Sequence, residues 1–315
     1  MVRLLLLIVG LVIFGVVLRV MGVAEILALA RRSGWTLAWM TGLYALHLTV
    51  RGWVIWRSLP IPRIPLTETV RIRFAAEAVE TLTFTGPFLA EPAKGFMFIR
   101  RGVAPARAAG VIVFEQLTYM LVAAAMALTS LIVLLRRGAF SGGVHGAIVG
   151  LVAALGVFAA GVLWASITGI GLLAPAARLL SPVLGPARAA AVVDSIAEME
   201  LHLLDMLHGN KPHLIEALAA QTFGNVLLAL EVILLFRALG FHGHRIDPVI
   251  VEGGVKFVNS AFIFIPGQFG AAEGANALIV GALGYPAVLG VTLSLMRRVR
   301  TYLVAAVGLL AAPPR

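Results

Sequence analysis

The stretch Thr85-Gly86-Pro87-Phe88-Leu89-Ala90-Glu91 places a Gly-Pro break and then a glutamate inside apolar sequence. The stretch Pro266-Gly267-Gln268-Phe269-Gly270-Ala271-Ala272-Glu273 repeats that arrangement. A shift of 182 positions superimposes Ala90-Glu91 on Ala272-Glu273, and it also superimposes Gly102 on Gly284. A helix interruption and a carboxylate are both costly in hydrocarbon. A duplicated, interrupted hydrophobic segment that carries a charge therefore indicates a transport site.

The composition predicts a polytopic membrane protein. Of the 315 residues, 60% are apolar and 13% are charged, and the mean hydropathy is +0.99. A soluble domain of this length does not have such a composition. The absence of cysteine excludes disulfides and cysteine-ligated metal sites. The net charge of +10 comes from arginines at the ends of apolar runs, which favours anchoring at an anionic leaflet and argues against nucleic acid as a partner.

Six segments are apolar enough over about 20 residues to predict transmembrane helices. They lie at about 3–22, 36–57, 107–135, 144–172, 213–239 and 286–311. A cleavable signal peptide is the alternative for the first of these. We favour a retained helix there, because Arg19 follows the apolar run directly and its long side chain reaches the membrane surface.

Two further apolar stretches, at about 66–99 and 248–283, are interrupted near the middle by the repeated motif. Each half is too short to span a bilayer, so we expect two re-entrant helical hairpins. Three predicted crossings separate the hairpins, and an odd number places them on opposite sides. The predicted fold class is an all-α polytopic membrane protein with about six transmembrane helices plus two re-entrant hairpins in an inverted repeat.

The domain organisation that follows is a single integral membrane domain over residues 1–315. Repeat 1 covers about 66–135 and repeat 2 covers about 248–311. Basic residues cluster around the first hairpin, which predicts that this hairpin and both termini face the cytoplasm in the inner membrane.

A segment at about 186–209 differs from the others, because its apolar residues follow helical spacing on one side only. We expect a cytoplasmic amphipathic helix there. Anionic lipid would repel its polar face, so the helix is predicted to pack on the protein or on a partner. That face carries Asp194, Glu198, Glu200 and Asp205.

Charged residues inside the apolar segments are the candidates for a binding site, since each costs about 2.5–3.5 kcal/mol on insertion. Glu91 and Glu273 follow the two breaks, where we expect each on the first turn of a second half-helix. A simple helix-start carboxylate is the alternative. Backbone at Pro266, Gly267 and Gly270 is predicted to approach a headgroup closely.

The last helix carries three arginines, Arg297, Arg298 and Arg300. We expect them to pair with Glu273 or to bind an anionic headgroup, since the planar guanidinium grips carboxylate or phosphate with two bonds. Internal ion pairing alone is the alternative. Glu115 occupies the position equivalent to Arg297, and a pairing of these two is one interpretation.

Local ion pairs are predicted where opposite charges stand three or four residues apart. Lys94 follows Glu91 by three residues, and Lys256 follows Glu252 by four. The complete set of predicted substrate-binding residues is Glu91, Lys94, Glu115, Pro266, Gly267, Gly270, Glu273, Arg297 and Arg298.

The sequence does not predict an enzyme, a metal site or a cofactor. Its seven histidines are scattered, and no third ligand stands at metal spacing from His242 and His244. It contains no phosphate-binding loop, so any transport is expected to run downhill or to be coupled to an ion.

Short motifs along nearly the whole chain carry a family resemblance. In repeat 1 they are Ala76-Glu77-Ala78-Val79, Thr85-Gly86-Pro87, Ala90-Glu91-Pro92-Ala93-Lys94, Arg100-Arg101-Gly102 and Glu115; in repeat 2 they are Ile265 to Gly270, Glu273 and Arg297-Arg298. These motifs resemble the lysylphosphatidylglycerol synthase transmembrane (flippase-like) family. The resemblance implies a fold related to the flippase half of the bifunctional synthases. Because the sequence stops at Arg315, we expect a stand-alone member without the synthase domain.

Three functions follow as hypotheses. The first is a lipid flippase or translocase that moves a phospholipid or another polar-headgroup lipid between the hairpins. The second is a non-transporting scaffold subunit of a lipid-modifying or lipid-biosynthesis complex. The third, an intramembrane lipid transferase, lacks a convincing base or metal set. Two kinds of partner stay open as alternatives: further copies of this chain in a homo-oligomer, or an enzyme of lipid metabolism.

Overall fold

The computed structural model describes residues 34–61, 64–83, 87–136, 143–171, 173–178, 186–261 and 271–311. This described part is built from eleven α-helices and one π-helical turn. The elements are α1 Thr36–Ser58, α2 Leu66–Leu82, α3 Pro87–Ile99, α4 Pro105–Arg136, α5 Gly143–Thr168, α6 Leu173–Arg178, α7 Pro186–Leu204, the π turn Asp205–Gly209, α8 Lys211–Ala238, α9 Asp247–Ala261, α10 Ala271–Ala282 and α11 Ala287–Ala311. The prediction of an all-α protein is confirmed for these residues.

The long helices coincide with the predicted apolar segments. Helices α1, α4, α8 and α11 begin and end within two residues of the predicted bounds. Helix α5 ends earlier than expected, because Gly169 adopts a left-handed φ of 68° that terminates it. By length and composition, α4 and α8 qualify as membrane-spanning helices. The complete six-plus-two topology stays a prediction, and the segment at 3–22 lies outside the described residues.

Both interrupted segments form two helices each. The stretch 66–99 forms α2 and α3, and the stretch 248–283 forms α9 and α10. The interruptions themselves, 84–86 and 262–270, lie outside the described residues. A re-entrant path for either segment therefore stays a prediction.

The duplication extends to the backbone of the turns that follow α3 and α10. Gly102 and Gly284, which the shift of 182 superimposes, have φ values of 85° and 89°. The Gly102 N–H donates to the Ile99 carbonyl at 2.9 Å, and the Gly284 N–H donates to the Gly281 carbonyl at 2.9 Å. A left-handed glycine closes the helix in both copies because it carries no Cβ to clash. These two turns are thus equivalent, and the equivalence of the whole repeats and their inversion stay predictions.

Each copy packs its first helix against the last helix of the other copy, α9 on α4 and α2 on α11. Glycine permits both crossings. A Cβ at Gly253 would lie 2.2 Å from the Met126 carbonyl oxygen, and a Cβ at Gly308 would lie 2.1 Å from that of Phe74. The backbones therefore touch at these points, as is typical of small residues between membrane helices.

The segment at 186–209 forms a helix that packs on the protein, as predicted. A Cβ at Gly110 of α4 would lie 3.2 Å from the Met199 carbonyl oxygen of α7. Glu200, one of the four acidic residues of the predicted polar face, is buried against the protein. Its buried carboxylate accepts hydrogen bonds from the backbone N–H groups of Leu173 at 2.6 Å and Ala174 at 3.0 Å. Glu200 caps the start of α6, where unpaired N–H groups attract an anion.

We predict that Gly253→Ala and Gly308→Ala each destabilise the protein by about 1–3 kcal/mol, because the added methyl group overlaps a backbone oxygen. Thermal unfolding in detergent, followed by circular dichroism, measures the change. Gly281→Ala is the matched control, since a Cβ there meets nothing within 4 Å. Equal melting temperatures for the three variants would contradict the close crossings.

Candidate functional site

One cavity of about 580 Å³ lies between the two repeats and is lined in addition by residues of α1, α5 and α8. Its volume falls within the range of about 300–1,000 Å³ that is usual for ligand sites. Much of its wall is ionisable. The charged and aromatic polar residues that line it are Tyr44, His47, Arg51, Arg73, Glu77, Glu80, Glu91, Tyr119, Glu252, Lys256, Arg297, Arg298, Arg300 and Tyr302.

The first of two ion-pair networks is centred on Glu115, which is fully buried in α4. One carboxylate oxygen accepts from Arg51 Nε at 2.5 Å, and the other lies 3.3 Å from Lys94 Nζ. Lys94 also pairs with Glu91 at 2.7 Å, so the predicted local pair is confirmed. Two cations and two carboxylates make this network neutral, which lowers the cost of burying it.

Arg51 is a site residue that the sequence reasoning missed, because it lies on α1, outside both repeats. The feature of the sequence that could have identified Arg51 is its position in the interior of an apolar segment. Its guanidinium also donates to Gln116 at 2.9 Å and stacks 4.1 Å from the centroid of the Tyr119 ring. Lys256 of the other repeat donates to the Tyr119 hydroxyl at 2.7 Å. Tyr119 therefore links the two halves of the cavity wall.

The second network belongs to repeat 2 and to α8. Arg297 lies 2.5 Å from Glu252 and 3.4 Å from Glu231, and Arg300 lies 2.9 Å from the same oxygen of Glu231. Lys256 pairs with Glu252 at 3.2 Å, which confirms the second predicted local pair. Three cations share two carboxylates, so this network carries one excess positive charge.

Of the ion pairs predicted for the arginines on α11, one is observed. Arg298 pairs with Glu273 at 2.5 Å. Arg297 instead pairs with Glu252 and Glu231, and Glu115 pairs with Arg51 and Lys94, so the interpretation of a Glu115–Arg297 pair is wrong. The reason is that each has nearer partners: Arg51 of α1 lies 2.5 Å from Glu115, and Glu252 of α9 lies 2.5 Å from Arg297.

The two carboxylates after the breaks occupy different turns. Glu273 lies in the first turn of α10, as predicted. Glu91 lies one turn deeper in α3, because that helix already begins at Pro87, where proline suits a first-turn position. The remaining candidates, Pro266, Gly267 and Gly270, lie outside the described residues.

A third cluster joins α1, α2 and α11. Arg73 pairs with Glu77 at 3.0 Å, and the Tyr44 hydroxyl donates to the same carboxylate. The Arg300 guanidinium lies 3.7 Å from the centroid of the Tyr44 ring, a cation–π contact. Sequence reasoning missed Tyr44, since a tyrosine in an apolar segment has no distinguishing pattern, and it also missed Arg73 as a site residue. Among the described residues, no group of three His, Asp or Glu side chains is arranged to hold a metal ion.

Comparison with known proteins places this site in a family context. The family model described as "Lysylphosphatidylglycerol synthase TM region" matches residues 3–308. No curated protein and no solved structure matches the chain significantly. The match covers all the charged residues of the cavity wall.

We predict that Glu115→Gln lowers the free energy of unfolding by about 3–5 kcal/mol, because it leaves Arg51 and Lys94 buried with one carboxylate fewer. Thermal unfolding of the purified protein in detergent measures the loss. Glu216→Gln is the control, since its pair with Arg57 is exposed and such pairs contribute about 0–1 kcal/mol. If Glu115→Gln is as mild as the control, the network does not stabilise the fold.

Proposed function

The chain belongs to the lysylphosphatidylglycerol synthase TM region family, and from this membership we propose that it moves a polar-headgroup lipid across the membrane. The family consists of membrane proteins of lipid metabolism or transport. The observation that supports translocation in particular is the shared cavity, because both repeats contribute charged side chains to one space. In this proposal a headgroup there contacts ionisable groups of both repeats, among them Glu91 of repeat 1 and Arg298 of repeat 2.

The cavity wall suits an amphipathic ligand. In addition to the charged residues it is lined by apolar side chains that include Met120 of α4 and Leu155 and Phe158 of α5. In this proposal the headgroup contacts the ionic wall while the acyl chains stay against apolar surface. The wall charges offset the cost of removing a charged headgroup from water, which otherwise prevents its passage through hydrocarbon.

Glu91, Glu273 and Arg298 are the groups that we propose exchange a protein partner for the lipid. Their side chains are 23%, 18% and 12% exposed, whereas Glu115, Lys94 and Glu231 are completely buried. Partly exposed pairs separate at lower cost than buried ones. In this proposal the fully buried pairs keep the helices in place, and the partly exposed pairs bind the headgroup.

The mechanism that we propose alternates access between the two copies. In it the two duplicated motifs face opposite sides of the membrane, and the lipid headgroup passes between Glu91 of one copy and Glu273 of the other. Movement is downhill or coupled to an ion, without catalysis by this chain. Inverted repeats with a site at their interface commonly work in this way.

A scaffold role is the second candidate, and one observation favours it. Arg297 and Arg298 are both paired within the protein, as structural charges would be. A scaffold is also consistent with the exposed acidic side chains of Asp194 and Glu198 on α7 and of Asp205 in the π turn that follows it. Transport by the purified chain separates the two candidates.

We predict that proteoliposomes containing the wild-type chain move a headgroup-labelled lipid, and that Glu91→Gln and Glu273→Gln each slow this about tenfold or more. The physical reason is that a charge-assisted hydrogen bond, worth about 1.5–3 kcal/mol, is lost in each variant. Quenching of labelled lipid in the outer leaflet measures the rate, with phospholipid and neutral glycolipid probes compared.

Glu216→Gln serves as the control for this experiment, because Glu216 lies on α8 and does not line the cavity. Unchanged rates in both Glu91→Gln, which alters the cavity wall, and Glu273→Gln, which removes the partner of the wall residue Arg298, would reject the assigned site. No movement of any probe by the wild type, together with co-purification of a lipid-modifying enzyme, would instead favour the scaffold.

A further inference from the structure

One carboxylate of the cavity wall differs from the others in having no ion-pair partner. Among the described residues, the glutamates that line the cavity are Glu77, Glu80, Glu91 and Glu252. Three of them have an arginine or lysine nitrogen at 3.0 Å or less. For the fourth, Glu80, the described part of the chain offers no cation within 4 Å. Its charge is therefore not neutralised by direct contact.

The charged groups that act most strongly on Glu80 have partners of their own. They are Arg51 of α1, Arg73 and Glu77 of α2, and Glu91 of α3. Arg73 pairs with Glu77, while Arg51 and Glu91 belong to the network around Glu115. The other ionisable cavity residues on helices that pack against α2 are Tyr44 and His47 of α1 and Arg297, Arg298, Arg300 and Tyr302 of α11.

Glu80 can consequently take up a proton without breaking an ion pair, which the other wall carboxylates cannot. A proton on Glu77 leaves Arg73, which is 2% exposed, without its carboxylate. A proton on Glu91 removes one of the two carboxylates that compensate the completely buried Lys94. Both changes leave a buried cation poorly compensated. A proton on Glu80 breaks no such contact and adds one positive charge to the wall.

The amount of water in the cavity decides how well a charged Glu80 is tolerated. Glu80 is half-buried, and the cavity of about 580 Å³ has room for water beside it. When the cavity closes around a headgroup, that water leaves. A carboxylate without a cation in such surroundings is much less favourable than the neutral acid. Closure therefore favours one proton at Glu80, whereas the paired carboxylates need none.

We propose that Glu80 binds the proton that couples lipid movement to a pH gradient. This inference rests on the proposed function and names the coupling ion of that site. Glu80 takes one proton from water while the cavity is open to one side, and it keeps the proton while the cavity is closed. It returns the proton to water when the cavity opens to the other side, so one proton crosses with each lipid.

A proton suits this position better than a metal cation. In the described part of the chain, no group of three His, Asp or Glu side chains is arranged to hold a metal ion. The carboxylates closest in charge to Glu80, Glu77 and Glu91, already bind Arg73 and Lys94. A single carboxylate oxygen is sufficient for a proton. The experiments below include sodium as the competing ion.

Infrared difference spectroscopy of the purified full chain in detergent tests the proton site without transport. The absorption of protonated carboxyl groups is followed while the pH is lowered. We expect a band that titrates in the wild type and in Glu80→Asp and is missing from Glu80→Gln, which has no acid group there. Glu216→Gln removes an exposed carboxylate instead and retains the Glu80 band. An unchanged titration in Glu80→Gln overturns the proton site.

Proteoliposomes test the coupling. The membrane potential is held at zero with potassium and valinomycin, and a gradient of about one pH unit is imposed. With one proton per lipid, this gradient shifts the ratio of labelled lipid between the leaflets about tenfold at equilibrium. The probes are headgroup-labelled phosphatidylethanolamine and a headgroup-labelled glycolipid, and quenching of the outer leaflet measures the ratio.

Three variants assign the response to one side chain. Glu80→Gln has the shape of the protonated acid, so we expect it to move lipid and to leave the ratio near one. Glu80→Asp is expected to follow the gradient as the wild type does, which a purely structural role of Glu80 does not explain. His47→Gln removes the wall residue of the type that ordinarily changes charge near neutral pH, and it is also expected to follow the gradient.

The coupling is overturned if the wild type moves lipid without following the pH gradient, or if Glu80→Gln still follows it. A shift of the ratio by a sodium gradient at equal pH overturns it as well. If the wild type moves no probe, the coupling fails together with the proposed function. The infrared titration then decides separately whether Glu80 binds a proton.

Discussion

The pairing of buried charges across helices is the constraint on which the rest of this structure depends. Glu115 and Lys94 are completely buried, and Glu231 is as well. In an apolar surrounding, such groups are tolerated only next to a partner of opposite sign. The helices that carry them must therefore stay at a fixed depth and rotation, and the backbone contacts at Gly253 and Gly308 bring these helices close enough.

The duplication accounts for equivalent positions on the helices around the site, but not for the sign of the charge at those positions. Glu115 and Arg297 stand at equivalent positions of α4 and α11, yet their charges are opposite. Each is compensated within its own repeat and by a helix outside the repeats. Glu115 pairs with Lys94 and with Arg51 of α1, and Arg297 pairs with Glu252 and with Glu231 of α8. The two halves of the cavity therefore pair their charges with different helices.

Aromatic side chains connect the two halves. Tyr119 contacts Arg51 and accepts from Lys256, while Tyr44 contacts Arg300 and donates to Glu77. Tyr44 joins charged groups of both copies, one through its ring and one through its hydroxyl. Tyr119 of repeat 1 likewise joins Lys256 of repeat 2 to Arg51 of α1.

Much of the fold was determined by the sequence alone. The apolar segments, the Gly-Pro breaks and the left-handed Gly102 and Gly284 depend on bonds and propensities within a few residues, so the helix bounds agree closely with expectation. The pairs Lys94–Glu91 and Lys256–Glu252 are equally local. Only the tertiary structure decided the other partners. Arg51 and Glu115 are 64 residues apart, and Arg297 and Glu252 are 45 apart. Such distant groups are brought together by the packing of whole helices, and the residue pattern of a single segment does not specify that packing.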